Sequence, residues 1–289
     1  MKNTSRFLSW FQKNHHHFAG VLFDIDGTIV RQRTPLTGAK ETLEFIKDRH
    51  FPYIFLTNDA CHSRQEKSGF LQAADLPVTP EHIVSSGDAL RLFVRQRQLQ
   101  GELFFIMGKL GEPNYAELAG LSITREFSAL RNCRGVIIGE GSYDWESTFN
   151  AVLNYFLSHQ DGLLIVPNAD DYYVDQHQKI HIAPGGEAFF LKTMSEKCRM
   201  AIKPIFLGKP HPPIFEYTVH RMVQHYQLTT KPNLKKILMI GDSLSTDILG
   251  ANRAGLSSCL LLTGVTSEAM AHQIPEDSQY LPTYQFEGL

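Results

Sequence analysis

Asp24-Ile25-Asp26-Gly27-Thr28 directly follows the apolar run Gly20-Val21-Leu22-Phe23. Residues two apart in a strand point to one side, so Asp24 and Asp26 are expected to project together from its carboxyl end. Gly27 lets the backbone turn away immediately afterwards. Two carboxylates held side by side repel each other. A divalent cation that favours oxygen ligands, Mg2+ above all, offsets that repulsion. The same five residues are also ordinary turn chemistry, in which Asp and Gly serve only the backbone.

Three further segments carry comparable chemistry. Gly241-Asp242-Ser243-Leu244-Ser245-Thr246-Asp247 follows the apolar run Ile237–Ile240 and precedes a helical pattern. Asp242 stands where a second strand delivers a metal ligand to a sheet edge. Asp247 falls on the first turn of the next helix, where it orients metal-bound water or an ammonium, or simply complements the helix N-terminus. Leu56-Thr57-Asn58 ends another strand with a hydroxyl and an amide, suited to phosphate oxygens or to plain capping. Gly208-Lys209-Pro210-His211-Pro212 ends a fourth, with Lys209 as a cation fixed between Gly and Pro and apt for neutralising phosphate charge.

The elements that must position these groups alternate between strand and helix. Periodicity predicts strands at 20–25, 53–56, 82–85, 205–207, 237–240 and 258–262, with helices at about 38–48, 63–73, 212–227 and 246–254. That rhythm belongs to β-α-β units on a parallel sheet, where sites form at the carboxyl ends of the strands. The middle of the chain repeats it, with strands at 103–107, 135–138 and 163–166 and an amphipathic helix at 145–158. Alternation at 172–174 and 179–182, around 175–178, predicts an antiparallel hairpin. A second α/β module is therefore expected inside the first. Its joints are placed near 86 and 184, giving a core of 1–85 and 185–289 and an insert of 86–184.

The chain has 289 residues, 43% hydrophobic and 20% charged, enough apolar material for two cores. Its 28 basic and 30 acidic residues leave a net charge of −2, with none of the excess that marks a nucleic-acid or anionic-membrane binder. No apolar run approaches the roughly 20 residues of a membrane helix. The opening Phe7, Leu8, Trp10 and Phe11 read as a short amphipathic helix packed on the body, not as a leader. His15-His16-His17 reads as solvated surface, since three adjacent side chains cannot converge on one ion. Four scattered cysteines (Cys61, Cys133, Cys198, Cys259) suit reduced thiols in a cytoplasmic protein.

Taken in order, Asp24-x-Asp26-Gly27-Thr28, Leu56-Thr57-Asn58, Gly208-Lys209-Pro210-x-Pro212 and Gly241-Asp242-x4-Asp247 resemble the four motifs of haloacid dehalogenase-superfamily phosphatases. The Gly-Lys-Pro-x-Pro form and the long insert between Thr57 and Lys209 resemble the NagD-like branch, class IIA. Similarity extends through Gly135–Gly139, Tyr143-Asp144-Trp145, Asn168-Ala169-Asp170 and Leu262-Thr263-Gly264-Val265, roughly residues 18–285. The resemblance implies a Rossmann-like parallel-sheet core with an inserted α/β cap domain. It implies Asp24 as nucleophile and Asp26 as general acid and base, with Mg2+ held by Asp24, the Asp26 backbone carbonyl and Asp242. It further implies phosphate binding by Thr57 and Lys209, with Asn58 shaping the loop or touching substrate, and Asp247 behind the metal.

The expected activity is Mg2+-dependent hydrolysis of a small soluble phosphate ester, such as a nucleoside monophosphate or sugar phosphate, through an aspartyl-phosphate. Phosphotransfer to a second substrate through the same intermediate, or phosphometabolite binding without turnover, are the alternatives. A homodimer through the cap is also implied. The segment between Asp170 and Pro184 is longer than the resemblance leads one to expect. Its Tyr172, Tyr173, His177 and His181 either meet a leaving group or pack the face of a hairpin.

Overall fold

The computed structural model describes residues 6–141, 143–175, 177, 179–228, 230 and 232–289. They form two compact units. The first comprises the chain up to Thr57, Arg64–Val84 and Pro210–Leu289; the second comprises Asn58–Ser63 and Ser85–Lys209.

The first unit is built on a six-stranded sheet in the order Tyr284–Phe286, Ser257–Leu261, Ile237–Gly241, Gly20–Phe23, Tyr53–Thr57 and Ile83–Ser85. Gly20–Phe23 pairs in parallel with Ile237–Gly241 on one side, Phe23 beside Ile240, and with Tyr53–Thr57 on the other, Phe23 beside Phe55. These central strands are buried at every position, which is why they read as continuous apolar runs without alternation. The opening residues do form a helix, Phe7–Asn14. Phe7 and Phe11 are fully buried in a cluster with Phe23, Phe55 and Phe286, the Phe7 and Phe286 rings meeting edge to face at 5.7 Å. Burial of each ring stabilises by about 2–3 kcal/mol. His15–His17 form a single 3-10 turn with His16 and His17 exposed.

The second unit has its own five-stranded parallel sheet, in the order Pro204–Phe206, Leu163–Val166, Gly135–Ile138, Leu103–Met107 and Ser122–Thr124. Its core packs Phe105, Val136, Ile138 and Leu164 against Phe149 and Val152 of helix Trp145–Ser158 and Ala188 and Leu191 of helix Pro184–Lys197. Asp144 caps the first of these helices by accepting from the Ser147 amide at 3.2 Å. The expected hairpin is present as Tyr172–Val174 and Ile180–Ile182, with Tyr173 opposite His181; Gln176 and Gln178 of its turn lie outside the described residues.

The insert is longer than expected. Residues 185–209, assigned to the core from sequence, belong to the second unit. Pro204–Phe206 pairs with Leu163–Val166, Ile205 beside Ile165, and Pro184–Lys197 buries its apolar face in the same cluster. Periodicity reveals a strand but not the sheet it joins, and this one joins the insert.

Candidate functional site

In the first unit the chemistry gathers where adjacent parallel strands end. Asp24 follows Gly20–Phe23, its amide donating to the Ile240 carbonyl at 2.9 Å. Asp242 follows the neighbouring Ile237–Gly241 strand, and Asp247 comes one turn later. One carboxylate oxygen from each of Asp24, Asp242 and Asp247 lies within 4.8 Å of the others, and all three residues are buried. At that spacing each pair repels by on the order of 3 kcal/mol at an effective dielectric of about 20. Three hard oxygen donors, buried and converging, fit a divalent cation of the Mg2+ type.

Local backbone builds the cluster. Gly27 sits at φ +83°, and a Cβ there would stand 2.5 Å from Asp242 Oδ2; one on Gly264 would overlap the same carboxylate. Asp242 Oδ2 accepts from the Val265 amide at 2.7 Å, which fixes its rotamer. Leu244–Ile248 is a single π-helical turn, capped by Ser243, and it swings Asp247 inward so that Asp247 Oδ2 accepts from the Ser243 amide at 3.1 Å. A normal α-helical start, as predicted for 246–254, is displaced to Leu249–Arg253.

Asp26 differs from its expected placement. The strand stops at Phe23, so the two-residue alternation does not extend to it, and Asp26 occupies the turn, bridged to Val30. Its carboxylate is exposed and outside the acidic cluster, whereas Asp247, expected behind the metal, is within it. Thr57 is the buried last residue of Tyr53–Thr57, the strand beside Gly20–Phe23.

Asn58 and Lys209 lie in the second unit, where they are bound together. Lys209 donates its amide to Asn58 Oδ1 at 2.7 Å, and Asn58 Nδ2 donates to the Lys209 carbonyl at 2.9 Å and to Asp170 Oδ1 at 2.8 Å. An amide side chain has two N–H bonds, and both are engaged here. The Asp170 amide donates to Asn168 Oδ1 at 2.9 Å, and Asn168 Nδ2 donates to Glu140 Oε1 at 2.9 Å. Both Asn58 and Lys209 are buried. The chain crosses between units at the bonds Thr57–Asn58 and Lys209–Pro210, inside two of the four motifs.

The second unit also holds a cavity of about 590 Å³ whose lining includes Phe105, Met107, Lys109, Arg125, Glu140 and Tyr143. Sequence patterns singled out Tyr143 only as a point of similarity and did not find Glu187, its partner at 2.5 Å. A lone Glu in a helix carries no sign of burial. In the hairpin, Tyr172, Ile180 and Ile182 are exposed, Tyr173 stacks on His181 at 5.0 Å, and His181 Nε2 lies 2.9 Å from Asp175 Oδ2. Hydrogen bonds from the Lys179 amide and His181 hold the Asp175 carboxyl down at about 2.

Residues 21–122 match the model of haloacid dehalogenase-like hydrolases and residues 206–289 that of HAD-hydrolase-like proteins. The chain belongs to the haloacid dehalogenase-like hydrolases. Within them it is a NagD-like phosphatase. It is 24% identical over 274 residues to the 5'-nucleotidase YutF of Bacillus subtilis, covering 92% of this chain and 98% of that one. It is 28% identical over 248 residues to the ribonucleotide monophosphatase NagD of Escherichia coli, covering 86% and 88%. The crystal structure of a glycerol phosphate phosphatase from Mycobacterium tuberculosis in complex with magnesium superposes with a TM-score of 0.78 at 25% identity, covering 93% of this chain and 75% of that one. Among the described residues of this NagD-like phosphatase, no helix is long and apolar enough to cross a membrane.

Proposed function

We propose that this NagD-like phosphatase is a Mg2+-dependent phosphomonoesterase acting on a small soluble ester, a nucleoside monophosphate, sugar phosphate or similar metabolite, through an aspartyl-phosphate. The observation that carries the reading is the separation of carboxylates: three buried in one cluster, and Asp26 exposed outside it. Asp24 and Asp242, with the Asp26 carbonyl, would hold the metal, and Asp247 adds a third carboxylate at the same place. Bound there, Mg2+ supplies charge neutralisation for a phosphoryl group and for the carboxylates themselves.

Asp24 attacks phosphorus through one carboxylate oxygen, and the bond from phosphorus to the ester oxygen breaks. Asp26 in its acid form gives its proton to that departing oxygen, releasing the alcohol. As a carboxylate, Asp26 then takes a proton from water, whose oxygen attacks phosphorus, freeing Asp24 and inorganic phosphate. Exposure suits Asp26 to this work, since a proton carrier must exchange with water. Thr57 and Lys209 bind the transferring phosphoryl oxygens. Asn58, with both amide N–H bonds engaged, acts as the residue that positions Lys209. Cys61, Cys133, Cys198 and Cys259 stand outside any disulfide, which supports a reducing, cytoplasmic setting, and the exposed apolar hairpin supports pairing of two chains through the second unit.

Phosphate release from a panel of metabolite phosphates, with Mg2+ and with EDTA, tests the reading, with Asp24→Asn in parallel. Mg2+-dependent release from a narrow set, reduced at least about a thousandfold in the variant, is the expected result. Release that survives in Asp24→Asn, or silence across the panel from folded protein that binds Mg2+, overturns it.

A further inference from the structure

Glu187 is a buried carboxyl for which the phosphoryl chemistry has no use. It lies on the first turn of Pro184–Lys197, 3% exposed, and accepts a hydrogen bond from the Tyr143 hydroxyl at 2.5 Å. Tyr143 lines the 590 Å³ cavity of the second unit, its ring stacked on Trp145 at 6.0 Å. The cavity joins aromatic and apolar surface (Phe105, Met107, Phe127) to two cations, Lys109 and Arg125, and two carboxylates, Glu140 and Asp144. That apolar face with polar groups at its edge accepts a flat aromatic group. The cavity is also connected to the phosphate-binding lysine. Glu140, on its wall, begins the hydrogen-bond chain through Asn168, Asp170 and Asn58 that ends on the Lys209 backbone.

We propose that Glu187 is a positioning residue, locking the Tyr143 ring as a wall of this cavity and thereby setting how well the enzyme accepts an ester with an aromatic leaving group. The proposal rests on the phosphatase reading above. Of the charged groups near Glu187 and Tyr143, Glu140 acts on the Glu187 carboxyl directly. Glu140 comes from the loop after Gly135–Ile138, and Asp144 sits beside Tyr143 in sequence. Burial raises the Tyr173 hydroxyl on the hairpin above its ordinary value, with Glu140 adding to the effect. On its own helix, Lys192 and Glu196 are paired with each other at 2.7 Å. Burial, reinforced by Glu140, pushes the Glu187 carboxyl up to about 7 even though the Tyr143 hydrogen bond pulls it down. Ionisation near neutral pH therefore sets a second negative charge beside Glu140 and disturbs the wall on which an aromatic leaving group would rest, a contact the aliphatic ester does not make.

The test compares p-nitrophenyl phosphate with glycerol phosphate on wild-type enzyme, Glu187→Gln and Tyr143→Phe between pH 5.5 and 8.5. Gln preserves shape and acceptor but does not titrate. The expected result is a KM for the aromatic ester that rises severalfold with pH in the wild type beyond any change for the aliphatic one. That rise is absent in Glu187→Gln, with kcat within twofold. Tyr143→Phe raises KM for the aromatic ester about fivefold at every pH, the size of one lost hydrogen bond. Equal changes for both esters, a fall in kcat alone, or an unaltered pH profile in Glu187→Gln overturns the proposal. Should wild-type enzyme hydrolyse neither ester, the proposed function fails first. Calorimetric titration of p-nitrophenyl phosphate into the same three proteins then decides the Glu187 proposal separately, with equal affinities overturning it.

Discussion

The two units solve the same problem, holding carboxylates and cations away from water, in different ways. In the first, the groups stand at or just beyond the ends of adjacent strands; the sheet's register brings Asp24 and Asp242 together, and a π turn adds Asp247. Asp24 and Asp242 are separated by more than two hundred residues yet follow strands that pair residue by residue, Phe23 beside Ile240. In the second, Asn58, Asp170, Asn168, Glu140 and Lys209 come from loops and are joined by a chain of side-chain hydrogen bonds. A strand-end site tolerates changes elsewhere but not added volume at its glycines. A hydrogen-bonded chain tolerates volume but not the loss of one amide.

The sharpest way to break that comparison is through the first unit's aromatic core. Phe7→Ala should cost about 3–5 kcal/mol, because a fully buried ring is replaced by a cavity. Hydrogen exchange checks where the loss falls. Amides of Gly20–Phe23 and Tyr284–Phe286 should exchange faster while those of Gly135–Ile138 keep their protection. Equal loss in both sheets would show that the units do not hold their stability separately.

Smaller, and confined to the site, is Gly264→Ala. The added methyl collides with the Asp242 carboxylate, so Mg2+ affinity and turnover should fall about 10–100-fold while the melting temperature moves little. Gly101→Ala is the control: its φ is +82°, but open space surrounds it, so any effect there is backbone strain alone. In the second unit the counterpart is Asn58→Ala, which strands the Lys209 amide. It should raise KM by about tenfold with the metal site intact, measured as unchanged Mg2+ affinity.

The smallest effects are on pH dependence, where the units should respond with opposite sign. His82, stacked on Tyr53 at 4.4 Å and beside His225, is driven down to about 4 by burial and by the His225 charge. The unfolded chain therefore binds a proton near 6.5 that the folded first unit refuses until about 4, and stability is lost as pH falls through that window. Glu187 has its folded value raised, so the second unit loses stability as pH rises from about 4.5 to 7. Melting curves from pH 4 to 8 on His82→Gln and Glu187→Gln read both: the first should flatten the acid side, the second the neutral side.

Most of the first unit's site was legible in the sequence because strand-end chemistry is local. An apolar run, then Asp, then Gly, is written in consecutive residues. Even there the register of side chains was not. Asp26 was expected beside Asp24, but the strand ends at Phe23, before either of them. The π turn that draws Asp247 into the cluster leaves no periodic trace. Helix Ala89–Arg97 and the edge strands Ser122–Thr124 and Tyr284–Phe286 carried too weak or too short a pattern to stand out.

What the sequence determined on its own, then, is the alternation of elements, the four motifs, and the chemistry each residue type can perform. Those follow from short-range sterics and from the apolar or polar character of neighbours in the chain. Tertiary structure alone decided which sheet Pro204–Phe206 would join, which three carboxylates converge, and that Glu187 is buried beneath Tyr143. Each depends on which distant segments exclude water from one another, and burial of that kind is a property of the packed fold and of no single stretch of it.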